Sequence, residues 1–225
     1  MPVFNEAKTV DRIVAAVLAQ PCVAELVIVD DASSDDTWRI LQAHASDAKI
    51  KLLRHFANRG KGAAVRSGFA AVTAPIVLVQ DADLEYDPSE YEKLIAPIIA
   101  GRADVVFGSR FIGGEARRVL YFWHSIGNRF LTLLSNALTN LNLSDMETCY
   151  KVMRRELLDQ ITLQEDRFGI EPELTAKLAA LGVSIYEVSV SYHGRTYAQG
   201  KKINWRDGVS ALRSIVKYNL LRRAS

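Results

Sequence analysis

Four short apolar runs in the first half of the chain each end on polar residues, and stretches with the periodicity of helices lie between them. ELVIVDD (25–31), IKLLRH (50–55), PIVLVQ (75–80) and ADVVFGS (103–109) read as strands, being too short and too evenly apolar for amphipathic helices. SSDDTWRILQAHA (33–45) and PSEYEKLIAPIIAG (88–101) read as helices and NRGKGAAVRSGFAAV (58–72) as a glycine-bearing turn running into a helix, preceded by one that Asn5 and Glu6 open and that runs to about Leu18. Alternation of this kind closes as βαβ units around a mostly parallel sheet flanked by helices. The predicted fold class is therefore Rossmann-like α/β, as one domain over residues 1–225. Such sheets bind ligands beyond the carboxyl ends of their strands. There the chain places Asp30 and Asp31, then 58–62, then Asp81 and Asp83, then Ser109 and Arg110.

The opening MPVFNE reads as the end of a first strand and its turn, and the residues that would complete that strand, ordinarily an interior one, are missing. A truncated or misassigned start is expected on this ground. The second half differs. Residues 117–143 form a leucine-rich and aromatic segment with more apolar surface than one core face needs, broken by Arg129, and read as one or two helices. PELTAKLAALG (172–182) reads as a helix, VSIYEVSVSY (183–192) as a strand and HGRTYAQGKKIN (193–204) as a basic loop. The segment from 205 to 225 has helical spacing and a basic end, which suits either packing on the domain or lying on an anionic membrane surface.

With 28 basic and 26 acidic side chains the net charge is +2, so no nucleic-acid partner is expected. Cys22 and Cys149 lie far apart without metal-type spacing, as structural thiols of a reducing compartment would. No apolar run reaches the roughly 18–20 residues that span a bilayer. The expected location is cytoplasmic, or peripheral on the cytoplasmic face of a membrane.

The strand exit VLVQDADLE (77–85) carries carboxylates at alternate positions. Asp81 and Asp83 can face one divalent cation with Glu85 as a third ligand, and hard oxygen ligands suit Mg²⁺ or Mn²⁺ held partly through substrate phosphates. An acidic turn capping the next helix is the plainer alternative. A metal with so few protein ligands implies a diphosphate. Lys61, Arg110, Arg195, Lys201 and Lys202 are the cations available to one, and Gly60 and Gly62 permit close backbone approach. Neither GxxxxGK[ST] nor GxGxxG occurs, which disfavours P-loop hydrolysis and dinucleotide chemistry.

Together PVFNE (2–6), VIVDDASSDDT (27–37), NRGKG (58–62), QDADLEYDP (80–88), GSRF (108–111) and GRTYAQGKK (194–202) resemble the family 2 glycosyltransferases of GT-A fold, most closely the dolichyl-phosphate mannose and glucose synthase branch. The resemblance spans almost the whole chain. It implies that Pro2, Phe4, Glu6, Val29 and Asp31 hold the base and ribose of a nucleotide-sugar donor of GDP-mannose or UDP-glucose type. Asp81, Ala82 and Asp83 would surround its diphosphate and metal, with Asp83 as leading ligand. Arg110, Arg195 and Lys201 would close over the diphosphate or the acceptor phosphate, and Arg129 matches an arginine that holds a lipid phosphate.

The implied activity is inverting transfer of a hexose to a polyprenyl phosphate at the membrane surface, with the segment at 117–143 as a helical acceptor side. The alternative is transfer to a hydroxyl acceptor in polysaccharide or glycan synthesis. Arg117, Arg118 and Arg129 are the cations that could grip a lipid phosphate. A hydroxyl acceptor needs a general base, whereas a phosphate monoester is already anionic. Asp145, in SDMETCYK (144–151), is the candidate base on the acceptor side, or else a turn residue. His124 and His193 are lesser candidates.

Overall fold

Burial explains why the apolar runs become strands. The computed structural model describes residues 1–113, 118–119, 121–195 and 205–221, of 205, 206 and 221 the backbone alone. Strands β2 (Leu26–Asp30) and β5 (Val105–Ser109) are buried at every residue, as strands covered on both faces must be. β2 lies between β1 (Pro2–Val3) and β3 (Ile50–Arg54), parallel to both, in register Val3↔Asp30 and Asp30↔Arg54. A second sheet has the order β4 (Ile76–Leu78), β6 (Lys151–Arg154), β5, β7 (Ile185–Ser189), with β5 and β7 parallel and β6 antiparallel to β4 and β5. An apolar cavity of about 450 Å³, lined among others by Val27, Phe69, Val77 and Ile95, lies between the two sheets.

Helices α1 (Val10–Leu18), α2 (Thr37–Ala43), α3 (Lys61–Ala71) and α4 (Tyr91–Ile99) are the expected connections. Three begin later than the sequence suggests, α4 after a 3₁₀ turn over Pro88–Glu90, and α1 and α2 for reasons of hydrogen bonding and backbone geometry. Asn5 takes a left-handed φ of 50°. The next loop then consumes the backbone donors that would start α1: Asn5 N donates to Ser33 Oγ and Glu6 N to Thr37 Oγ1, both at 2.9 Å. α2 starts at Thr37, because Asp35 turns back to accept from Thr37 N at 3.0 Å.

Strand β6 is absent from the sequence reading. Its first residue is a lysine, and lysine is almost never fully buried unless paired. Here Lys151 Nζ is buried and donates to Met146 O (2.9 Å), Thr148 O (2.6 Å) and Glu171 Oε2 (2.6 Å), a neutralisation that no local pattern shows.

The aromatic segment forms a single helix, α5 (Phe122–Thr139), ended by Asn140 at φ 58°. α6 (Ile170–Ala180) and α7 (Trp205–Val216, continued by a π-turn Lys217–Leu221) complete the chain, and α7 packs against α5 and α6.

The glycines of NRGKG have a structural partner. A Cβ on Gly60 (φ +100°) would lie 2.4 Å from Asp166 O, and one on Gly62 would lie 2.2 Å from Glu165 O. The backbone that approaches them closely is that of residues 165–167, locked by Ala63 N donating to Asp166 O at 3.0 Å. Gly62→Ala should therefore destabilise the protein by about 1–3 kcal/mol through overpacking. Thermal unfolding would register this as a fall of about 2–4 °C per kcal/mol; an unchanged midpoint would contradict the packing.

Candidate active site

The parallel strands deliver their polar ends to one side of the sheets, and most of the charges there are paired. Asp31 leaves β2 buried, accepting from Gly60 N (2.7 Å), Arg59 N (2.9 Å) and His55 Nδ1 (2.6 Å). His55 Nε2 in turn meets Ser67 Oγ at 2.8 Å. Asp31 thus fixes the turn before α3, and its oxygens are engaged by protein. The expected ribose contact would be an additional one for these oxygens. Val29, expected at the same donor site, packs in a small core with Val27 and Ala64. Pro2 pairs opposite Val29, and Phe4, just beyond β1, remains exposed.

The exit of β4 is anchored by Gln80, whose Oε1 accepts from Tyr91 OH (2.6 Å) and Tyr150 OH (2.7 Å). Beyond it the carboxylates diverge. Asp81 turns to Lys61, with Nζ 2.9 Å from Oδ1 and 3.0 Å from Oδ2. Burial works to raise the Asp81 carboxyl, but the Lys61 ammonium, by charge and hydrogen bond, holds it below its ordinary range. Lys61 also reaches Glu171 Oε1 at 3.3 Å. A series Asp81–Lys61–Glu171–Lys151, half-buried at the first two and buried at the last two, therefore joins the exit of β4 to α3, α6 and β6. The carbonyl of buried Ala82 accepts from Thr9 Oγ1 at 2.8 Å.

Asp83 and Glu85 turn to Arg195 instead. Its Nη2 lies 2.8 Å from Asp83 Oδ2, its Nη1 3.1 Å from Glu6 Oε2 and its Nε 3.3 Å from Glu85 Oε1. Glu85 also accepts from Tyr192 OH at 2.6 Å and from Arg195 N at 2.8 Å. The expected set of Asp81, Asp83 and Glu85 is thus not gathered round one point, and no group of three such side chains poised for a metal occurs among the described residues. Glu6, expected at the ribose, has its carboxylate held by Arg195 and Thr9. The donor chemistry nevertheless suits a hard divalent cation. Burial, reinforced by the Asp81 and Glu85 carboxylates and opposed by Arg195, pushes the Asp83 carboxyl up to about 7, which marks an excess of negative charge that a cation would relieve.

At the end of β5, Arg110 is buried and makes a two-pronged pair with Asp145, Nε to Oδ2 at 2.6 Å and Nη2 to Oδ1 at 2.7 Å. Its guanidinium lies 5.1 Å from the centre of the Tyr192 ring. Asp145 is fully buried, and although burial works to raise its carboxyl, Arg110 holds it below the ordinary range. Named from the sequence as candidate base or turn residue, it stands here as an ionised partner of Arg110. Two residues on, Glu147 presents a buried Oε1 without a hydrogen-bond partner, and burial and Glu171 push its carboxyl up to about 7. Sequence reasoning passed over Glu147, His55 and Glu171; the carboxylate two residues after Asp145 was the available signal.

Helix α5 borders this region with its polarity reversed. Asn128, Thr132 and Ser135 are buried, and Asn128 Nδ2 reaches Asp145 Oδ1 at 3.4 Å. Phe122, Trp123 (79% exposed), Ile126, Phe130 and Leu133 (70% exposed) face outward. Arg129 is exposed on the same helix, and Arg118 Nη1 donates to Gly194 O at 3.0 Å. His193 N donates to Glu85 O at 2.9 Å. Arg117, Lys201 and Lys202 lie outside the described residues.

A family model described as glycosyl transferase family 2 matches residues 1–162. A dolichol-phosphate mannosyltransferase of Pyrococcus furiosus is 28% identical over 181 residues, 79% of this chain; the chain spans only 51% of that relative's length. An uncharacterized glycosyltransferase of Mycobacterium bovis is 30% identical over 202 residues, covering 89% of this chain and 87% of that protein. A solved structure of glucosyl-3-phosphoglycerate synthase from Mycobacterium tuberculosis, in complex with Mn²⁺, UDP and glucosyl-3-phosphoglycerate, superposes with a TM-score of 0.73 at 19% identity. It covers 97% of this chain and 77% of its own. That likeness shows a GT-A type of α/β fold.

The state of Asp83 sets a pH signature. Its carboxyl is raised from 3.8 to about 7 on folding, so the folded protein keeps a proton that the unfolded chain has lost. Through this group stability falls as pH rises across that window. A cation that compensates the carboxylate reverses the penalty but competes with the proton below about 7. The thermal stabilisation given by Mn²⁺ should therefore grow as pH is raised from about 6 to about 8; scanning calorimetry showing the same shift at both ends would exclude Asp83 as the ligand.

Proposed function

The chain belongs to glycosyl transferase family 2, and from that premise we propose that it is an inverting transferase moving a hexose from a nucleoside-diphosphate sugar to a polyprenyl phosphate at the membrane surface. The observation that carries the acceptor is α5. Its polar face is spent on the Asp145 loop beside Arg110, while its outer face offers Phe122, Trp123, Phe130 and Leu133 with Arg129 among them. Aromatic rings with a nearby cation suit the boundary between headgroups and acyl chains. A lipid phosphate lying there would have its tail against α5 and its head toward Arg129. No helix among the described residues is long and apolar enough to cross a membrane, so peripheral attachment is the form the proposal takes. The dolichol-phosphate mannosyltransferase relative, and a dodecaprenyl-phosphate galacturonate synthase of Rhizobium johnstonii at 24% identity over 89% of this chain and 60% of its own length, support this acceptor class.

On the donor side, Asp83, with Asp81 near it, would hold Mg²⁺ or Mn²⁺, which when bound would offset charge developing on the departing diphosphate. Lys61 supplies a fixed positive charge beside Asp81, and Arg195 a movable one. Arg110, pinned by Asp145 and stacked near Tyr192, presents a rigid charge to the sugar or the acceptor phosphate. A phosphate acceptor with a second pKa of about 6 is already ionised near neutral pH and needs no base. That accords with Asp145 being engaged elsewhere.

Transfer to a hydroxyl is the second reading, and Glu147 is the observation that favours it. A carboxyl near 7 with an unpartnered oxygen is suited to accept a proton. The glucosyl-3-phosphoglycerate synthase likeness keeps a soluble acceptor in view.

Incubation with a panel of radiolabelled nucleotide sugars and polyprenyl phosphate, followed by solvent extraction, separates the readings. Label should move to the organic phase, and Asp83→Asn or chelation of divalent cations should cut transfer about 10²-fold or more. Glu147→Gln should leave transfer to lipid phosphate within a few-fold. Label confined to a water-soluble product, together with a loss of about 10²–10⁴-fold in Glu147→Gln, would replace the lipid reading with the hydroxyl one.

A further inference from the structure

Two of the carboxylates expected to hold a cation, Asp83 and Glu85, are already served by a cation of the protein itself. Arg195 spreads its guanidinium across these two and Glu6, at 2.8 Å from Asp83, 3.3 Å from Glu85 and 3.1 Å from Glu6. Both oxygens of Asp83 are in use, Oδ2 by Arg195 Nη2 and Oδ1 by Glu85 N at 3.1 Å. When all three carboxylates are ionised, the single guanidinium leaves two negative charges over, the charge of one divalent ion. An ion bound to Asp83 Oδ2 would share that oxygen with a guanidinium nitrogen, and two like charges that close repel strongly where water is scarce. The ion and the guanidinium in this position therefore exclude one another.

We propose that Arg195 is an internal counter-ion occupying the metal position in the free protein, and that the donor diphosphate draws it off, so that cation and nucleotide bind interdependently. The inference rests on the metal-dependent reading above. The side chain can move without its backbone: Arg195 N stays on Glu85 Oε1 at 2.8 Å, and the preceding carbonyl, Gly194 O, is held by Arg118 at 3.0 Å. A diphosphate offers a guanidinium what it gives up, two parallel charge-assisted hydrogen bonds to anionic oxygens. The same arginine thus discharges the carboxylates when no donor is present and clamps the donor when it is. Without it, Asp83, Glu85 and Glu6 would repel one another and take up Mn²⁺ alone.

The test is Mn²⁺ binding to the full chain without nucleotide, followed by the electron paramagnetic resonance signal of free Mn²⁺, in wild type, Arg195→Ala and Arg195→Lys. Arg195→Ala should bind Mn²⁺ on the order of tenfold more tightly than wild type, a difference set by removing one close positive charge. It should bind UDP or GDP more weakly, with Arg195→Lys between the two in both respects. An arginine that only touches the donor, or only supports the loop, would not strengthen metal binding when removed. Arg195→Gln, nearer in shape, replaces Arg195→Ala if circular dichroism shows the latter misfolded. Equal or weaker Mn²⁺ binding in the neutral variants overturns the counter-ion role and leaves the metal reading standing. Absence of Mn²⁺ binding in every protein overturns both.

Discussion

A carboxylate taken out of water must find a positive charge, and the architecture of this site follows from how the chain supplies them. Burying an ion costs several kcal/mol, repaid only by close and well-oriented partners. Asp81, Lys61, Glu171 and Lys151 meet this demand in series, linking the exit of one strand, the starts of two helices and an antiparallel strand. Arg110 and Asp145 meet it as a pair. Removing one member of either group would strand its neighbour's charge, so these residues hold the strand ends in place whatever else they do.

The same demand turns expected ligand contacts into scaffolding. Asp31 gathers two backbone amides and His55, and so sets the turn that carries Lys61 to Asp81. Gly60 and Gly62 let residues 165–167 lie against that turn, which brings α6 and Glu171 within reach of Lys61. Positions that resemble a nucleotide site thus build a frame beside the cluster of Asp83, Glu85, Glu6 and Arg195.

On the acceptor side one helix does two jobs. Asn128 and Thr132 of α5 tie down the loop that carries Asp145, with Thr132 Oγ1 accepting from Met146 N at 3.2 Å. The opposite face is apolar and outward. An apolar outer surface is thereby joined to the ion pair that orients Arg110.

Much of the fold was legible because strand and helix signals are local. Runs such as ELVIVDD and the helical spacing at 61–71 declare themselves through near neighbours, and the polar strand ends marked which side holds the site. β6 was not legible, because Lys151 breaks its apolar pattern and its charge is neutralised by Glu171, 20 residues away. The start of α1 was misplaced because Asn5 turns left-handed where its segment docks on a loop about 30 residues distant, and that of α2 because Asp35 captures Thr37 N. The sequence by itself determined the alternating α/β plan, the presence of carboxylates at the β4 exit and the family resemblance. Which carboxylate meets which cation was decided only in three dimensions. Lys61 and Asp81 are 20 residues apart and Arg195 and Glu6 are 189 apart. No spacing rule reaches across such separations, and charges are matched by the packing that brings them together.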